Sequence, residues 1–128
     1  MEKRLLLLVV ALACLSVTAL GCASAGKNMV TAYQVSGTTI EAAHQAVASA
    51  CAAGTITAEN CAKFGVEYNK VRAGYIAVGS ALEVYINAED AAAKKTSLAA
   101  YEEAIASLST LTADLLKFVA ALGVEVKA

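Results

Sequence analysis

The chain has 128 residues, with ten basic and eleven acidic groups, one His, four Cys, no Pro and no Trp. A formal net charge of −1 without any basic run excludes the electrostatic footprint of a nucleic-acid binder and a polybasic membrane patch. Thirty alanines against two Phe and five Tyr point to close-packed helices around a thin core, because Ala is the residue most easily held in a helix and its small side chain lets backbones approach. Such a core supports a modest bundle and not a deep, enclosed active site.

In chain order, Lys3 and Arg4 come first, followed by an uninterrupted apolar run of signal-peptide length from Leu5 to Ala13. The segment ends Ala19-Leu20-Gly21-Cys22. This ending resembles the lipobox of bacterial lipoproteins, with Gly21 as the small residue before the cut and Ala19 where Leu is more usual. The resemblance covers residues 1–22 only. It implies a diacylglycerol on the Cys22 thiol, cleavage after Gly21 and acylation of the new amino terminus. Residues 1–21 are then a signal peptide, and the membrane is a partner through the lipid on Cys22. Each buried methylene contributes roughly 0.8 kcal/mol, so several chains together anchor stably where one would be marginal. Ala23, in place of the Asp that resembles an inner-membrane retention signal, favours the periplasmic face of the outer membrane in a diderm host. Ala23-Ser24-Ala25 offers an alternative, cleavage before Gly26 to release a soluble secreted or periplasmic protein. Cys14 follows the small residue Ala13 but lies too early in the apolar run to be the lipidated Cys.

Residues 22–28 form the lipidated Cys and a short tether, and 29–128 form a single helical domain. At about 3.3–3.6 Å per extended residue, Ala23 to Asn28 reaches about 20 Å, which keeps the domain near the bilayer. Without Glu2, Lys3 and Arg4 the chain keeps eight basic and ten acidic groups, a net charge of −2.

The first helical segment spans about 29–53. Tyr33, Gly37, Ile40, His44, Val47 and Cys51 fall on one face at spacings of three and four. Thr38 with Glu41 makes a capping-box signature that offers a second start, so this segment is either one helix, bent near Gly37, or a helix beginning there. Gly54-Thr55-Ile56 is a turn and Thr57 an N-cap. The second segment, 58–88, places Cys61, Phe64, Tyr68, Val71, Tyr75, Val78, Leu82 and Tyr85 on one stripe. Glu59, Lys63, Glu67 and Lys70 lie on another face, at spacings that form ion pairs. The connection near 87–97 is ambiguous: Ala91-Ala92-Ala93-Lys94-Lys95 is either itself helical, or Thr96 or Ser97 caps a third helix over 97–122. There Leu98, Tyr101, Ile105, Leu108, Thr112, Leu115, Val119 and Leu122 repeat the pattern, and Gly123 stops the helix before a short extended tail. The expected architecture is all-α, an up-down-up antiparallel three-helix bundle.

Cys51 and Cys61 flank the first turn on inward stripes, and in an exported protein that arrangement favours a disulfide. Their spacing is not that of a redox Cys-x-x-Cys site, and no further ligands cluster beside them in sequence. His44, the one histidine, reads as a satisfied core or interface group; haem or metal ligation would need a second ligand that the pattern lacks. All five Tyr lie on inward stripes, which reads as core packing. The alternative is an interhelical groove for an apolar or aromatic ligand, lined by His44, Tyr68, Tyr75 and Tyr101. Residues 73–86 are apolar nearly all round, and Gly74, Ala77 and Ala81 make a small-residue edge suited to close approach, either within the bundle or to a partner or second copy. No nucleophile–base order, phosphate loop or carboxylate pair accompanies these features. The resulting expectation is a lipid-anchored cell-envelope helical-bundle protein in a structural or protein-interaction role, not an enzyme, with no cofactor and no metal. The alternative is a periplasmic module that binds small apolar ligands.

Overall fold

The computed structural model describes residues 21–127, with side chains from Gly26 onward. Residues 1–20, where the signal peptide is expected, and the side chain of Cys22 lie outside the described residues. Three helices follow in order: α1 over Gly21–Ala52, α2 over Ala58–Asn87 and α3 over Ala91–Ala121. They form an all-α three-helix bundle. The chain divides within α1 between Thr31 and Ala32, and the bundle described below is the unit that follows this division.

Each start and stop has a local cause. The hydroxyl of Thr57 caps α2 by accepting from the Asn60 N–H at 3.2 Å. Asp90 caps α3, accepting from the Ala93 N–H at 2.7 Å. Gly54 and Gly123 take left-handed φ values of 74° and 76°, where a Cβ would be strained. Both sit in the same stop. Gly54 N–H donates to Cys51 O and Thr55 N–H to Ala50 O, while Gly123 N–H donates to Ala120 O and Val124 N–H to Val119 O. This double closure satisfies the last carbonyls of α1 and α3.

Two boundaries differ from the expected ones. The first helix begins at Gly21, not near Met29, so residues 23–28 are helical and not an extended tether. Nothing there breaks a helix, since Ala23 and Ala25 favour one and the chain has no Pro. Six helical residues advance only about 9 Å. The third helix begins at Ala91, not 97, because Asp90 supplies the cap that Thr96 and Ser97 were expected to give. Ser97 instead lies inside the helix, 4% exposed, and donates to Ala93 O at 2.7 Å.

The helix continues through Gly37. The hydroxyls of Ser36, Thr38 and Thr39 donate to the carbonyls of Ala32, Gln34 and Val35, four residues back, so each satisfies itself along the helix without capping a new one.

Contacts fix the directions. Along α1, positions 33, 37, 44 and 51 meet α2 at 75 and 79, then 75, then 68, then 61, a falling series that makes the pair antiparallel. Lys94 reaches Tyr85, and Leu108 and Leu111 lie against Gly74, so α3 runs antiparallel to α2. The core is the predicted stripes. Val47, Val71, Val78, Leu108, Leu115 and Val119 are fully buried, with Ile40, Phe64, Leu82, Tyr85 and Tyr101 nearly so. Among the described residues α3 is the one helix long and apolar enough to cross a membrane by length and composition. Its inward Tyr101, Leu108, Leu115 and Val119, set against outward Glu102, Glu103, Asp114 and Lys117, are the pattern of a bundle helix.

Candidate functional site

The α1–α2 hairpin gathers most of the side chains with distinctive chemistry. At its closed end Cys51 and Cys61 form a disulfide with their Cα atoms 6.1 Å apart, within the range a bridge spans. It pins the last turn of α1 to the first turn of α2.

One turn or two further in, His44 lies on the ring of Tyr68 at 4.5 Å between centroids, and Phe64 stands 6.5 Å from His44 and 5.9 Å from Tyr68. Phe64 is buried, whereas His44 and Tyr68 are half-buried. Beside this trio and the disulfide is an open cleft of about 230 Å³, with Val47 and Gly65 completing its walls.

Further along, Tyr33 and Tyr75 stack with ring centroids 4.3 Å apart and planes 6° from parallel, a face-to-face arrangement that buries much of both rings. The two helices admit the stack because each supplies a glycine opposite the other's hydroxyl. A Cβ built on Gly37 would lie 2.6 Å from the Tyr75 hydroxyl oxygen, and one on Gly79 would lie 2.8 Å from that of Tyr33. Burial foremost, then the neighbouring Tyr33 hydroxyl and its charge, push the Tyr75 phenol up to about 12. Burial also raises the phenol of Tyr101.

Of the four residues expected to line one groove, His44 and Tyr68 meet. Tyr75 pairs with Tyr33 instead, and Tyr101 is buried on α3 away from the His44 cleft. Phe64, Tyr33 and Gly79 belong to these clusters and were not singled out from the sequence as site residues. The signal for two of them is present: Tyr-x-x-x-Gly occurs at 33–37 and again at 75–79, the spacing that puts a ring and a gap on one helix face.

The small-residue edge also divides. Gly74 faces α3, where a Cβ would meet Leu111 at 3.1 Å and Leu108 at 3.4 Å. Ala81 is half-buried and Ala77 is exposed. The apolar stretch 73–86 is thus covered by α1 and α3 on its inner sides and left open on the outside. Along that outer side Val66, Ile76 and Val84 are each more than half exposed, with Ala73, Ala77 and Ser80 between them.

Another open cleft, about 640 Å³, lies over Gly37 and Tyr75, with Gln34, Thr38, Glu41, Ala42 and Gln45 of α1 and Lys127 of the C-terminal tail in its walls. Among the described residues no three His, Cys, Asp or Glu side chains come together as metal ligands would. In comparisons with known protein families, with characterised proteins and with solved structures, the chain matches none.

Proposed function

We propose that this protein is a lipid-anchored component of a cell envelope, held through Cys22, which acts through the surface of its helical bundle in a structural or protein-interaction role. The observation that carries the interaction part is the outer face of α2. Ile76 and Val84 with Ala73 and Ala77 form an apolar patch, interrupted by Ser80, on the exposed side of α2. A solvated helix face is ordinarily polar, and an exposed apolar patch on one supports the reading of a surface that meets something. The anchor part rests on Lys3, Arg4, the Leu5–Ala13 run and Ala19-Leu20-Gly21-Cys22. The outer-membrane periplasmic face is the favoured location in a diderm host, and cleavage after Ala25 gives the competing soluble form.

Fractionation of cells that express the chain and its Cys22→Ala variant tests the anchor. The parent enters the detergent phase and carries an acyl mass on Cys22, and the variant loses both; a parent that begins at Gly26 establishes the soluble form instead. Crosslinking in intact envelopes, followed by the same experiment on Ala77→Glu, tests the interaction. The patch reading requires that the crosslinked species be lost while helicity is kept.

A second reading, a binder of small apolar or aromatic ligands, is favoured by the half-exposed His44–Tyr68 stack beside its cleft. Thermal shifts against envelope metabolites separate the two, since a ligand bound only to the folded state raises Tm with concentration.

A further inference from the structure

We propose that the exposed patch on α2 is a homotypic interface: a second copy of this chain docks on it, its own α2 running antiparallel, about a two-fold axis near Ala77. The inference deepens the interaction reading above by naming the partner, and it rests on that reading.

The charges that border the patch point to a second copy. At about 100° per residue, Ala73, Ile76, Ala77, Ser80 and Val84 share one outward arc of α2. Arg72 and Glu83 fall together on one border of that arc, and Lys63 and Lys70 on the other. Lys63 and Lys70 are already engaged, by Glu59 and Glu67. Arg72 and Glu83 are exposed, and among the described residues neither makes an ion pair. They stand about 16 Å apart along the helix, beyond the reach of a salt bridge within one chain. The border thus holds two opposite charges that the monomer cannot bring together.

A copy turned end for end supplies both partners. In a two-fold antiparallel pair each border of one helix faces the same border of the other in reverse order. With the axis at the level of Ala77 and Val78, Arg72 of each copy comes opposite Glu83 of the other, twice per pair. The apolar residues match at the same register. Ile76 of each copy lies over Ala77 and Ser80 of the other, a large side chain over small ones, and Ala73 lies near Ser80 and Val84. A parallel pair instead sets the Arg72 border against the Lys70 border, like charge on like, which disfavours it. The contact spans about three turns, a size that belongs with weak, transient interfaces.

The test expresses two differently tagged copies of the full chain together, extracts them in mild detergent and recovers them through one tag. Parent copies are expected to co-purify. Arg72→Glu in both copies, or Glu83→Arg in both, sets like charges together at two places and lowers the recovered partner at least about threefold. Arg72→Glu in one copy with Glu83→Arg in the other restores opposite charges at both places and returns recovery to the parent's level. Because the same two variants fail with themselves and succeed with each other, the rescue separates lost pairing from lost folding. Parent copies that do not co-purify, or a mixed pair recovered no better than the like pairs, overturn the proposal. A different envelope protein crosslinked to the parent and lost in Ala77→Glu, while tagged copies do not pair, would sink the self-pairing and leave the interaction role standing.

Discussion

The hydroxyl of Tyr75 lies 2.6 Å from where a Cβ on Gly37 would stand, and that of Tyr33 lies 2.8 Å from where one on Gly79 would stand. Each helix thus holds a ring over the other's gap, and the stacked pair locks the register of α1 against α2. Alanine at either glycine gains up to about 1 kcal/mol of helix propensity but drives a ring out of its stack, an overpacking cost of about 1–3 kcal/mol. Gly37→Ala and Gly79→Ala are expected to lower stability by about 1 kcal/mol in urea unfolding. Gly65→Ala, where a Cβ meets nothing within 4 Å, raises it by about 0.5–1 kcal/mol. Adding Tyr75→Phe to Gly37→Ala recovers part of the loss, since the hydroxyl is the nearest atom and the ring carbons Cζ and Cε2, at 3.0 and 3.2 Å, still crowd the new Cβ.

The same stack gives the fold an alkaline limit. The Tyr75 phenol sits at about 12 in the folded chain against 10.0 unfolded. The folded state therefore keeps its proton where the unfolded state has lost it, and stability present below pH 10 is lost as the pH climbs from 10 toward 12. Tyr101, raised by burial, acts in the same direction. Tm measured from pH 9 to 12 falls more steeply in the parent than in Tyr75→Phe, and phenolate absorbance shows a late-titrating group that the variant lacks. Superimposable Tm profiles would contradict this.

The disulfide closes a short loop, ten residues from Cys51 to Cys61. By the chain-entropy relation such a loop contributes about 2.5–3 kcal/mol, a large share for a bundle whose largest fully buried side chains are valines and leucines. Cys51→Ser with Cys61→Ser, or reduction, is expected to lower Tm by about 10–20 °C. Free-thiol titration on the unreduced protein checks the bond itself.

Thr112 is the one polar residue in the buried stripe of α3 that finds no partner; its hydroxyl oxygen is shut away from solvent and makes no hydrogen bond. Thr39 and Thr110 donate to carbonyls four residues back, and Thr112 does not. Thr112→Val keeps the shape and removes the orphan, so stability rises by about 1–2 kcal/mol. A decrease in the urea midpoint would show that water or an unseen donor satisfies this oxygen.

Lys94 ties the second turn together, with its ammonium donating to Tyr85 O at 3.3 Å and standing 4.8 Å from the Tyr85 ring centre. A cation at the last carbonyls of α2 opposes the helix dipole there, and the ring adds a cation–π contact. Lys94→Met keeps the aliphatic stem and loses the charge, at a cost of about 0.5–1 kcal/mol in low salt. Lys94→Arg restores most of it.

The sequence by itself determined the helical class, the three inward stripes, the Thr57 cap, the Gly54 and Gly123 stops and the Cys51–Cys61 pairing. All of these are set within a turn or two of helix or by two inward cysteines flanking one turn, so periodicity and local chemistry suffice to read them. The ion pairs Glu59–Lys63 and Glu67–Lys70, at 2.9 and 3.0 Å, were legible for the same reason. The start of α3 stays open in the sequence because Asp90 and Ser97 are both competent caps, and local preference does not choose between them. Burial chose: a helix from Ala91 brings Lys94 onto Tyr85 and Ser97 into the core. Tertiary structure alone decided that Tyr75 belongs with Tyr33 and not with His44, that Gly74 serves the bundle while Ala77 faces outward, and that Lys127 lines the cleft over Gly37 and Tyr75. Each depends on the rotation and register of one helix against another, which long-range packing sets and no single helix encodes.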